Sequence, residues 1–138
     1  MACRYCVNEG TEHPEHDDLV QRHIDDLINR GWKVVAADLH GYERPKITPR
    51  NHIPDLVAVK ETQLSDGRIE ERVLVGESET CEDLATKHTE EQWADFGNLT
   101  DKNGRSVVFE VSVPSACYDE AVDLLISLKL SGKVVHFD

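Results

Sequence analysis

Apolar positions recur along this chain with two periods, and the switches between them lay out its elements. From Glu15 to Arg30, Leu19, Val20, Ile24, Leu27 and Ile28 fall at helical spacing, and Gly31 follows as a stop signal. Trp32 to Leu39 reads as a strand, and Pro45 and Pro49 punctuate an exposed loop before a second strand over Asp55 to Glu61. Ser65-Asp66-Gly67 is a hairpin-turn signal, and Arg72 to Glu79 forms the third strand. Thr80 suits the N-cap of a helix from Cys81 to Phe96, and Asp101-Lys102-Asn103-Gly104 closes that unit. The alternating, β-branched run from Ser106 to Val113 predicts a buried strand that Pro114 breaks. Ser115 then caps a helix through Leu130, Gly132 ends it, and Lys133 to Phe137 supplies a last strand.

The order α-β-β-β-α-β-α-β predicts an α/β domain with a mixed central sheet flanked by helices. At 138 residues the chain has room for one such domain, taken as residues 17–138, with residues 1–16 as a separate N-terminal segment. A hydrophobic fraction of 39% argues against disorder, and no apolar run approaches the length of a membrane span. Internal repeats and low-complexity tracts are lacking. The opening Met1-Ala2-Cys3-Arg4-Tyr5-Cys6 has no apolar signal-peptide core, so a cytoplasmic setting with reduced cysteines is expected. On that expectation Cys81 and Cys117 are small buried residues without a partner.

Charge changes the picture of what the surface can meet. Fifteen basic against 27 acidic residues leave a formal net charge of −12, which opposes generic attraction to nucleic acid. The balance is uneven, however: from His40 to Pro54, Arg44, Lys46 and Arg50 face only Glu43, with His40 and His52 beside them. That loop could meet phosphates, or it could be an ordinary solvated loop.

The candidate chemistry sits at two strand ends, in Ile53-Pro54-Asp55-Leu56-Val57 and Val75-Gly76-Glu77-Ser78-Glu79. Alternate side chains of a strand share a face, so Glu77 and Glu79 project together, and Asp55 joins them if the strands pair. Three carboxylates at one spot repel one another and raise their own pKa values, which a divalent cation between them relieves. Singly, each signal has a bland counterpart: Pro-Asp suits any strand entry, and Glu-Ser-Glu suits any solvated strand end in an acidic chain. Their combination across a hairpin, before a helix with the polar face of Lys87, His88 and Gln92, is the stronger signal.

With Pro54-Asp55 entering one strand and Glu77-Ser78-Glu79 leaving the next, the chain resembles the PD-(D/E)xK nuclease superfamily over residues 15 to 138. The resemblance implies a restriction-endonuclease-like fold, resolvase-like in element order, and a Mg2+- or Mn2+-dependent endonuclease acting on DNA, often as a homodimer. It assigns Asp55 and Glu77, with the Ser78 carbonyl, to the metal. The usual lysine is Glu79 here, as in the Glu-Ser-Glu motif of some type II restriction endonucleases. Glu79 then activates water, with Lys87 as the alternative cation from the next helix. Gln92 supports the site, as does Gln21 from the first helix, with Asp18 as its alternative. Arg44, Lys46, Arg50, His52 and His88 would contact the DNA backbone.

Two further readings stay open. Cys3, Cys6, His13 and His16 have the ligand types of a tetrahedral zinc site, although the gap between the pairs is short for finger layouts and a frayed terminus with scattered cysteines is the plainer reading. The competing function is a non-catalytic acidic module that binds a protein partner and mimics nucleic acid, which the charge and the missing lysine favour.

Overall fold

The structure, a computed structural model, describes residues 14–138. Three helices and five strands follow in the expected order: α1 (Pro14–Asn29), β1 (Lys33–Ala37), β2 (Leu56–Gln63), β3 (Ile69–Ser78), α2 (Lys87–Phe96), β4 (Val108–Pro114), α3 (Tyr118–Ser127) and β5 (Gly132–Phe137). They form a single small α/β domain around one mixed sheet of order β1-β2-β3-β4-β5. The first three strands pair antiparallel, β1–β2 across the long loop 38–55 and β2–β3 through a tight turn, whereas β3–β4 and β4–β5 are parallel and need the crossovers that α2 and α3 carry.

Strand alternation sorts the core into two layers. Val20, Ile24 and Leu27 of α1 pack on Leu56, Ala58 and Leu74. On the opposite face Trp93, Phe96, Ala121 and Leu125 pack on Val75, Phe109, Val111 and Val113. Gly76 lets α1 approach the sheet: a Cβ there would stand 2.6 Å from Leu56 Cγ and 3.1 Å from His23 Cε1. A buried charge also joins the α1 layer to the sheet. Glu110 of β4 accepts both Arg30 guanidinium nitrogens, at 2.8 and 2.6 Å, and lies 3.0 Å from His23 Nε2. Burial alone would raise its pKa, but the Arg30 and His23 hydrogen bonds outweigh it and hold Glu110 at about 2.

Helix ends depart from the sequence expectations for local reasons. α2 begins at Lys87, not Cys81, because Thr86 is the N-cap: its hydroxyl accepts the Thr89 N–H at 3.2 Å. Thr80 instead closes a turn, accepting the Asp83 N–H on its carbonyl at 3.1 Å. α3 starts after a 3-10 turn over Ser115–Cys117 and stops at Ser127, before Gly132 is reached. Lys129 takes a left-handed φ of 57°, and Leu130 N–H returns to the Leu125 carbonyl at 3.1 Å. The expectation for the cysteines is corrected as well. Cys81 and Cys117 form a disulfide with Cα atoms 5.7 Å apart, because the parallel β3–β4 pair brings both chain exits to the same end of the sheet.

Candidate functional site

Register decides where Asp55 stands. Leu56 pairs with Gly76, so one step beyond the ladder Asp55 comes opposite Glu77. The Asp55 N–H donates to the Gly76 carbonyl at 3.1 Å, and its Oδ2 accepts the Ser78 N–H at 2.8 Å. Glu79, just past β3, is tied to β4 by its own N–H on the Ser112 carbonyl at 3.0 Å. All three carboxyl groups are buried, at 5%, 4% and 5% exposure for Asp55, Glu77 and Glu79.

A histidine from α1 reaches into this cluster. His16 Nε2 lies 3.0 Å from Asp55 Oδ2, and its Nδ1 lies 3.6 Å from Asp17. Burial depresses an imidazole's pKa, but Asp55 outweighs it and carries His16 up to about 9. Burial likewise works to raise Asp55, and the His16 charge and hydrogen bond, with Glu77 and the Ser78 N–H, hold it below its ordinary range. Glu77 moves the other way, well above the usual carboxylate range, through burial and the adjacent Asp55 charge. Burial and Asp55 also push Glu79 up to about 8, against the opposing pull of His16. Without a cation, burial and the Asp55 charge thus favour the protonated forms of Glu77 and Glu79, while Asp55 and His16 favour each other's charged forms.

Two buried polar atoms at the cluster lack hydrogen-bond partners, Glu77 Oε2 and the Trp93 indole N–H. Trp93 nevertheless sits close enough to Glu79 to favour its ionised form. Thr89 completes the α2 contribution, with its hydroxyl 2.7 Å from the Asp83 carbonyl and 3.5 Å from Glu79 Oε2. Thr89 and Trp93 are four residues apart and share a helix face.

Other candidates are placed differently. Gln21 lies on the exposed side of α1 and donates to Asp25 at 3.1 Å, and Asp18 is bound to Arg22 at 2.9 Å. Lys87 is exposed in the first turn of α2 and Gln92 is half-buried one position before Trp93. Arg44, Lys46 and Arg50 are exposed on the loop before β2, which folds against α2. His52 anchors it there, with Nδ1 2.7 Å from the buried Asp95 and its ring 6.2 Å from that of His88. Cys3, Cys6 and His13 lie outside the described residues, while His16, grouped with them as a zinc ligand, is committed to Asp55. That contact had a sequence signal. His16, Val20, His23 and Leu27 fall on one stripe of α1, and a histidine on an apolar stripe needs a buried partner.

Among the described residues, no group of three or more His, Cys, Asp or Glu is arranged to hold a metal ion. The donor chemistry nonetheless suits a hard divalent cation: oxygen ligands, mutual repulsion and an enclosed carboxyl oxygen without a partner. Access is what differs, since Asp55 Oδ2 already takes two donors. A surface hollow of about 510 Å³, lined by Leu64, Arg68, Ile69, Glu70, Lys102 and Arg105 among others, is at the opposite end of the β2–β3 hairpin and plays no part in the cluster. Among the described residues no helix is long and apolar enough to cross a membrane. Comparison with protein-family models, curated proteins and solved structures finds no match for the chain.

Proposed function

We propose that the chain is a divalent-metal-dependent phosphodiesterase of the restriction-endonuclease-like, PD-(D/E)xK type, acting on the DNA backbone. The observation that carries this reading is the convergence of Asp55, Glu77 and Glu79 at one end of the sheet, with the enclosed Glu77 Oε2 lacking a partner. An acidic cluster alone is a weak sign. A buried carboxyl oxygen without a hydrogen bond is costly, and a cation would offset that cost by replacing the proton that burial and Asp55 favour on Glu77.

Asp55 and Glu77, together with the Ser78 carbonyl, would hold the ion. When bound, Mg2+ or Mn2+ supplies Lewis-acid stabilisation of the phosphate and lowers the pKa of a water. Glu79, held by its backbone bond to Ser112 and flanked by Thr89 and Trp93, would accept the attacking water's proton once a neighbouring cation favours its ionised form over the proton that burial and Asp55 otherwise keep on it. The exposed Arg44, Lys46 and Arg50, with Lys87 and His88 on α2, would contact the DNA backbone locally on a chain whose overall net charge is −12.

The test is cleavage of plasmid and branched DNA in Mg2+ or Mn2+, wild type against Glu77→Gln. Metal-dependent cleavage lost in the variant supports the reading. If neither protein cleaves, and neither binds Mn2+ at millimolar concentration, the reading is wrong. That outcome favours the second reading, an acidic module for a protein partner, which the net charge and the lack of a ready three-ligand arrangement among the described residues support.

A further inference from the structure

Resting on the phosphodiesterase reading, we infer that His16 is a built-in competitor of the cation, an imidazole that occupies Asp55 and must swing away before the ion is held. Two donors already converge on Asp55 Oδ2, the Ser78 N–H at 2.8 Å and His16 Nε2 at 3.0 Å. The first belongs to the backbone of β3 and cannot leave without breaking the strand end. The second is a side chain in the first turn of α1 and can leave by rotating about its own bonds.

The surroundings favour movement of the imidazole over movement of the carboxylates. Asp55 has 7% of its side chain exposed, whereas His16 has 23%, so a path to solvent lies on the histidine's side. Its other close contact, Asp17 at 3.6 Å, lies beyond hydrogen-bond reach. The α1 backbone need not follow, because Val20, Ile24 and Leu27 hold the helix on the sheet independently of His16.

The arrangement answers a problem that the cluster creates for folding. Burying Asp55 beside Glu77 and Glu79 is costly before any ion arrives, and one histidine on a movable side chain gives Asp55 a partner while keeping the carboxyls assembled. Cation affinity is then the difference between ion binding and the His16–Asp55 contact.

The experiment is an Mn2+ titration of the full chain followed by electron paramagnetic resonance at one neutral pH, using wild type, His16→Ala, His16→Gln and Glu77→Gln. Only the binding lost in Glu77→Gln is counted, which removes ions held by other surface acids. His16→Ala is expected to bind roughly tenfold tighter than wild type, the factor that loss of one charge-assisted hydrogen bond to Asp55 represents. His16→Gln, which keeps a neutral donor, is expected in between, and it decides the matter if the alanine variant does not fold. Equal or weaker affinity in the folded His16 variants, with binding still abolished by Glu77→Gln, overturns the competition and leaves the phosphodiesterase reading standing. No counted binding in any of the proteins overturns both.

Discussion

Replacing Glu110 by glutamine should make stability lose a specific part of its pH dependence. The carboxylate is 2% exposed and held by two Arg30 nitrogens and His23, which keeps it at about 2 against an ordinary value of 4.5. At about 1.4 kcal/mol per pKa unit, that difference represents about 3 kcal/mol in favour of the folded state. Arg30 is 29% exposed at its side chain, so solvent screening lowers the expectation to about 2 kcal/mol. The folded pKa is depressed, so this stability is fully present above pH 4.5 and is lost as the pH falls towards 2. Glu110→Gln keeps the shape but cannot carry the charge. Urea unfolding of both proteins across this range should give a difference of about 2 kcal/mol at pH 6 to 7 that shrinks towards zero near pH 2. Groups elsewhere titrate equally in both proteins and cancel. A difference below about 0.5 kcal/mol at pH 7, or one that does not change with pH, would show that Glu110 does not tie α1 to the sheet by its charge.

Glu79 makes the opposite prediction. Its folded pKa is raised from 4.5 to about 8, so the folded state holds a proton that the unfolded chain has lost, and stability falls as pH rises through that window. In the absence of divalent ions, Glu79→Gln should therefore stabilise the protein by on the order of 4 kcal/mol at pH 8 and by almost nothing at pH 4, measured by chemical denaturation; equal effects at both values would refute the assignment. The Cys81–Cys117 disulfide spans 36 residues, and loop-closure entropy makes its removal cost about 3 to 4 kcal/mol. Cys81→Ser with Cys117→Ser should lower the denaturation midpoint under oxidising conditions and match reduced wild type; an unchanged midpoint would mean that the bond does not form.

Most of the fold was legible in the linear pattern because it depends on local rules. The α1 stripe of Leu19, Val20, Ile24 and Leu27 and the stop at Gly31 needed only helical periodicity and a residue free to take φ 89°. The β2–β3 hairpin followed from alternation and the turn at Gly67, with φ 87°. Helix ends were less legible where two local signals compete. Thr80 and Thr86 are both suitable caps, and the choice fell to Thr86 once Cys81 was bonded to Cys117 and Leu84 was buried beneath the following turn.

Sequence alone determined the element order, the α/β class and the fact that Asp55, Glu77 and Glu79 would meet if β2 and β3 paired. Those properties come from residue spacing along one strand or helix. Tertiary structure alone decided what surrounds the carboxylates: His16 from 39 residues away on Asp55, Thr89 and Trp93 beside Glu79, and Arg30 with His23 on Glu110. A side chain's partner across the fold depends on how α1 and α2 are docked against the sheet, and that docking is set by burial on both faces at once. The charge on each carboxyl group follows from the same packing, since burial and neighbouring charges exist only after the layers have closed.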